Sequence, residues 1–155
     1  MPVFGKMLQI GILTDDLDTA IHHYQQFGFG PWETMLFDTN HVPGGLIDGK
    51  EEGELQLKVA MCQHGDVEFE LIQPISEGVF MDWVKEHSTG VHHIAFKPEG
   101  GYSAFMEEYI PLGLGNVIDV STPDGKQGFT YLDTSKPLGF FTEIHRGEPG
   151  RPGGH

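Results

Sequence analysis

The chain has 155 residues, 38% of them hydrophobic, which suits one compact domain or two small halves sharing a core and excludes a disordered chain. Nine Lys and Arg stand against 23 Asp and Glu, a formal net charge of −14; this works against nucleic-acid phosphates and anionic membrane surfaces, and an anionic substrate would need a local cation. Cys62 is the only cysteine, so an internal disulfide, a multi-cysteine zinc site and an iron–sulfur cluster are excluded, and a reducing, cytoplasmic setting fits.

The first ten residues, MPVFGKMLQI, lack the continuous apolar stretch of a secretory signal. No window approaches the roughly 18–20 apolar residues of a membrane span. Residues 7–13 (MLQIGIL) read as a short apolar strand. Asp15 and Asp16 offer an N-cap for a helix carrying Leu17, Ala20, Ile21 and Tyr24, which Gly28 stops. Residues 32–37 form a strand, 40–53 a loop, 55–62 and 67–72 two more strands, and Pro74 ends the last of these.

A second series follows. Residues 79–86 read as a linking helix, 91–96 (VHHIAF) as a strand, and 102–109 as a helix with Ala104, Phe105 and Tyr109 available for one face. Strands at 116–120, 128–132 and 140–144 complete it, with a turn at Pro123-Asp124-Gly125. Each half therefore runs strand, helix, strand, strand, strand. Gln9-Ile10-Gly11-Ile12 aligns with His93-Ile94-Ala95-Phe96 at an offset of 84 residues, which also pairs Ala20 with Ala104 and Ile21 with Phe105. Phe69-Glu70-Leu71 corresponds to Thr142-Glu143-Ile144. Such a repeat constrains the fold more than any single propensity. It predicts one domain over residues 1–146, with modules at about 7–74 and 91–146 joined by a helix within 75–90, and a mobile Gly/Pro-rich tail at 147–155.

An unpaired carboxylate buried in a strand costs several kcal/mol. Glu70 sits in VEFELI and Glu143 in FFTEIH, while the opening strands carry Gln9 and His93. Taken singly, each glutamate has a solvent-facing reading, His93 a packed-core reading and Gln9 a surface reading. Taken together, the four stand at repeat-equivalent positions. If the first and last strands of each half lie side by side, Gln9 faces Glu70 and His93 faces Glu143, and two halves placed edge to edge gather all four in one trough. Three oxygen donors and one imidazole suit a hard or borderline divalent ion, and two carboxylates neutralise it.

Three segments, QIGILTDDLDTAIHHYQQFGFGPW, VEFELIQPISEGVFMDWVKEHSTGVHHIAF and FFTEIH, resemble the vicinal oxygen chelate superfamily, which includes glyoxalase I, methylmalonyl-CoA epimerase, extradiol dioxygenases and bleomycin-resistance proteins. The middle segment is similar to the epimerases. The resemblance implies an α+β fold of two pseudo-symmetric βαβββ modules in an open, U-shaped mixed sheet. It implies one divalent cation (Zn, Ni, Co, Mn or Mg) held by Gln9, Glu70, His93 and Glu143. Gln9 departs from the His more usual in the epimerases and matches some glyoxalase I enzymes. Glu54-Leu55-Gln56-Leu57 is a poor match to a run that the epimerases carry.

The activity implied is proton abstraction α to a metal-bound carbonyl, with Glu143 as base and Glu70 as its pseudo-symmetric second candidate. Lactoylglutathione lyase and a non-catalytic binder of the bleomycin-resistance kind are the alternatives. An extradiol dioxygenase ranks lower, because only one ligand position is a histidine. The expected partners are a small carbonyl substrate and a second copy of the chain, with neither nucleic acid nor membrane. His145 shares the face of Glu143 and is placed at the trough rim; Trp32, Met35 and Phe37 are candidates for an apolar substrate wall. His92 points away from His93, His22 and His23 lie on a helix surface, and Cys62 reads as a buried small residue. The glycines at 28, 30, 44 and 45 make no phosphate-binding motif.

Overall fold

The computed structural model describes residues 1–39, 46–48 and 54–147. These divide into two compact units. The N-unit holds residues 9–39 and 54–92; the C-unit holds residues 1–8, 46–48 and 93–147. The boundaries fall inside two strands, between residues 8 and 9 and between residues 92 and 93.

In the N-unit, strand β1 (Phe4–Leu13, continuing from the C-unit) leads into helix α1 (Leu17–Gln25). Asp16 caps that helix: its Oδ1 accepts from the Thr19 amide at 3.2 Å and its Oδ2 from the Thr19 hydroxyl at 2.8 Å. Strand β2 (Glu33–Asp38) follows, then, beyond β3 (Leu46–Ile47) of the C-unit, β4 (Gln56–His64) and β5 (Val67–Pro74). The order is β2-β4-β5-β1, antiparallel except for the parallel β5–β1 pair. Helix α1 buries Leu17 and Ala20 against Ile12, Ala60 and Leu71, the apolar face of the sheet. Helix α2 (Val79–His87) belongs to this unit and buries Phe80 and Val84.

The C-unit repeats the plan. Strand β6 (Gly90–Pro98, entering from the N-unit) precedes helix α3 (Tyr102–Tyr109) and a 3₁₀ turn at Ile110–Leu112. Then come β7 (Asn116–Ser121), β8 (Gly128–Leu132), a short helix α4 (Ser135–Leu138) and β9 (Phe141–His145). The order is β6-β9-β8-β7-β3, with β6–β9 parallel and the other pairs antiparallel. Phe105 and Tyr109 of α3 pack on Leu132 and Ile144. Gly128 is required where β8 meets β7: its φ is +132°, and a Cβ there would collide with the backbone of Val120 and Ser121.

Two expectations change. Strand β3 (Leu46–Ile47) lies in the segment read as a loop, pairing with Ser121 and Val120; residues 40–45 and 49–53, with Gly44 and Gly45, lie outside the described residues. Ala104 is exposed, and α3 packs through Phe105 and Tyr109, one turn apart. The predicted tail lies outside the described residues from residue 148 onward.

Candidate functional site

In each unit one sheet face packs under a helix and the opposite face carries the polar residues. On β5, Phe69 and Leu71 face α1, so Glu68 and Glu70 share the other face. Parallel pairing sets Gln9 beside Glu68 and Gly11 beside Glu70. The structure therefore departs from the expected Gln9–Glu70 pairing by one step of two residues. Gln9 is wholly buried and its Nε2 donates to Glu68 Oε1 at 2.7 Å. That bond commits the amide nitrogen, so the carbonyl oxygen is the atom of Gln9 suited to a cation. Glu70 is buried, with Met61 opposite it on β4.

The C-unit repeats this register. His93 stands beside Phe141 and Ala95 beside Glu143. His93 is wholly buried; its ring meets Tyr131 edge-on, with centroids 4.6 Å apart, and its Nε2 is 3.5 Å from the Tyr131 hydroxyl. The Glu143 carboxylate lies between two imidazoles: His93 Nε2 is 3.7 Å from Oε1 and His145 Nε2 is 3.6 Å from Oε2. Both separations exceed direct hydrogen-bond length. Glu143 is buried, and its Oε1 has no hydrogen-bond partner.

A buried carboxylate oxygen without a donor is costly unless something positive meets it. Among the described residues, no group of three or more His, Cys, Asp or Glu side chains is placed to hold a metal ion. Within the C-unit the donors nevertheless suit a cation: Glu143 Oε1 lacks a hydrogen bond and His93 lies within ion-pair range of it. Sequence reasoning missed Glu68 and Tyr131. The two-residue step from Glu68 to Glu70 was the available signal for the first; Tyr131 becomes visible only once β8 is paired with β9.

The remaining candidates separate by face. Met35 and Phe37 pair with Val59 and Leu57 on β4, on the same face as Met61 and Glu70. Met35 is exposed and Phe37 half-buried. Trp32 instead packs with the α1 core, edge-on to Tyr24, and its Nε1 donates to the Phe29 carbonyl at 3.1 Å. His92 is buried against Trp83 and Phe80 of α2, His22 and His23 are exposed, and Cys62 is buried.

The model of the Glyoxalase/Bleomycin resistance protein/Dioxygenase superfamily matches residues 8–130. The chain belongs to this superfamily. A variant of Streptomyces coelicolor methylmalonyl-CoA epimerase in complex with 2-nitronate-propionyl-CoA is 22% identical, with a TM-score of 0.65 over 92% of this chain and 94% of that one. The epimerase of Mycobacterium tuberculosis is 15% identical, with a TM-score of 0.64 over 92% and 88%. A hypothetical protein of Bacillus halodurans is 18% identical, with a TM-score of 0.63 over 95% and 96%. No curated protein matches. At these identities the likeness is one of fold, and one fold hosts many chemistries. The superfamily's α+β architecture accounts for the duplicated βαβββ order seen in the two units.

Proposed function

We propose that this superfamily member is a divalent-metal-dependent isomerase of the methylmalonyl-CoA epimerase kind, abstracting a proton α to a carbonyl. The observation that carries this reading is the buried Glu143 carboxylate, set between His93 and His145 with one oxygen lacking a hydrogen bond. Gln9, Glu70, His93 and Glu143 are the proposed donors for a Zn, Ni, Co, Mn or Mg ion. When bound, such an ion supplies Lewis-acid stabilisation of the charge that develops on the substrate carbonyl.

Glu143 takes the α-proton as general base. The electron pair of the broken C–H bond moves toward the carbonyl, Glu143 keeps the abstracted proton, and a second acid on the other side of the enolate delivers a proton to the opposite face. His93 and His145 flank the carboxylate within ion-pair range, and the Tyr131 hydroxyl lies 3.5 Å from His93 Nε2. Glu70 is the second candidate base. A second reading, lactoylglutathione lyase, is favoured by the Gln9 amide, whose nitrogen is spent on Glu68; there the proton returns to the neighbouring carbon. A non-catalytic binder is the remaining reading.

Incubation with methylmalonyl-CoA in D2O and each metal tests the proposal. Deuterium incorporation that is lost in Glu143→Gln is expected. Turnover of methylglyoxal with glutathione, and no incorporation, selects the lyase. Neither activity, together with no retained metal, selects the binder. Sedimentation reads out the proposed homodimer.

A further inference from the structure

The C-unit contains a cavity of about 680 Å³ lined in part by Lys6, Lys97 and Arg146. In a chain with nine Lys and Arg and a net charge of −14, three of those nine cations meet at one concavity. Lys6 and Lys97 are exposed and form no ion pair among the described residues. The guanidinium of Arg146 is fixed: its Nη2 donates to both Asp119 carboxylate oxygens at 3.0 and 2.9 Å, and its carbon lies 4.4 Å from the Tyr102 ring centroid. Its Nε is buried with no hydrogen-bond partner.

Asp119 offsets the charge of Arg146, so the two lysines supply the net positive field. The lining also holds one acid, Glu99, whose carboxylate lies against Gly5, where a Cβ would meet it, and which subtracts from the charge of the two lysines. Gly100, Gly101 and Tyr102 complete that wall and open helix α3, whose N-terminus has neither a side-chain cap nor an acid in its first turn. A helix start of this kind adds to a cationic field without creating one. His145 also lines the cavity, and it stands within ion-pair range of Glu143.

We infer that this cavity is a subsite for a phosphoryl group, with Lys6 and Lys97 as its charge-bearing contacts beside the fixed Arg146 guanidinium. Two point-charge ammonium groups beside a planar guanidinium suit a multiply charged phosphoryl group better than a single carboxylate. Binding at the cavity does not depend on the reaction proposed above; its use by a substrate, through the His145–Glu143 contact, does rest on that reading.

Isothermal titration of the full chain with pyrophosphate, against acetate at matched ionic strength, tests the subsite without turnover. Pyrophosphate binding that exceeds acetate binding is expected. The double variant Lys6→Gln/Lys97→Gln is expected to weaken it about tenfold, the scale of one charge-assisted hydrogen bond. Lys85→Gln, which removes a lysine paired with Glu77 in the N-unit, is expected to leave it unchanged. Displacement of pyrophosphate by coenzyme A assigns the group to a coenzyme-A-bearing substrate; binding without displacement assigns it to a free anion. Absence of pyrophosphate binding, or equal weakening in the double variant and in Lys85→Gln, overturns the inference. A loss of deuterium incorporation with pyrophosphate binding intact overturns the reaction alone.

Discussion

In the N-unit Gly11 stands beside Glu70 on parallel strands; in the C-unit Ala95 stands beside Glu143 in the same register. Two residues earlier, Gln9 meets Glu68 where His93 meets Phe141. On the next strand Met61 opposes Glu70 where Tyr131 opposes Glu143. The backbone thus delivers one carboxylate per unit at an equivalent place, and the neighbours differentiate them. Glu70 has a second carboxylate two residues away on its own face. Glu143 has imidazoles at both of its oxygens and a phenol beyond His93. Accumulated negative charge suits holding a cation, whereas a carboxylate bracketed by imidazoles suits taking and returning a proton.

The largest expected effect tests that division directly. Glu143→Gln should lower proton exchange by about 10²–10⁴-fold, the usual contribution of a positioned base. Glu70→Gln should chiefly weaken metal binding, so that added metal restores much of its exchange rate. Exchange measured across a metal titration separates the two. Equal responses of the two variants would show the units to be interchangeable.

The cores make a second contrast. Leu71 and Leu132 are wholly buried, each beneath its own unit's helix. Leu71→Ala and Leu132→Ala should each cost about 2–5 kcal/mol in urea unfolding. Both β1 and β6 contribute residues to both units, so a single transition is expected to shift in either variant. Two separated transitions would mean that each unit holds its own stability.

A smaller effect follows from one position on the helix-facing side. The N-unit has Ala60, packed in an apolar core, opposite Leu71. The C-unit has Thr130 opposite Ile144, with its Oγ1 donating to Asp119 Oδ1 at 2.7 Å and lying 2.8 Å from the Tyr102 hydroxyl. Thr130→Val should cost about 1–3 kcal/mol, because it leaves two half-buried polar partners without their bond to a buried hydroxyl. Burial holds the Tyr102 phenol above its usual value of 10.0, while Thr130 and Arg146 pull it down. The neutral phenol therefore contributes stability below pH 10 that is lost as pH rises through the raised value. Without Thr130 that shift should grow, and unfolding at alkaline pH, read against pH 7, should become more sensitive.

Much of this architecture follows from the 84-residue offset and strand alternation. Alternation places Glu70 and Glu143 on a face away from the helices, and the offset makes the halves equivalent. It does not fix how far a parallel neighbour slides. Glu68 and Glu70 have the same parity, so only the backbone pairing shows which of them meets Gln9. Tyr131 gave no signal in GFTYL because its significance lies in its strand neighbours. Strand β3 is two residues long and has no alternation to detect. Trp32 reads from sequence equally as a wall or a core residue, and its ring packs against the α1 core.

The smallest expected effect concerns how the two helices begin. Helix α1 starts at Asp16, whose carboxyl is held below its usual 3.8 by the Thr19 amide and then by the Thr19 hydroxyl. Helix α3 starts at Gly101, at φ +91° and with no side-chain cap. A lowered carboxyl contributes stability that is present above its unfolded value and lost as pH falls through the folded one. Asp16→Ala should therefore lower Tm slightly at pH 7, and the gap to wild type should close as the pH drops below about 3.8. Thermal melts at several pH values measure that gap. A gap that persisted in acid would place the loss in packing, not in the charged cap. Gly101→Asp should bring no matching gain, because φ +91° disfavours a residue with a Cβ before any capping bond forms.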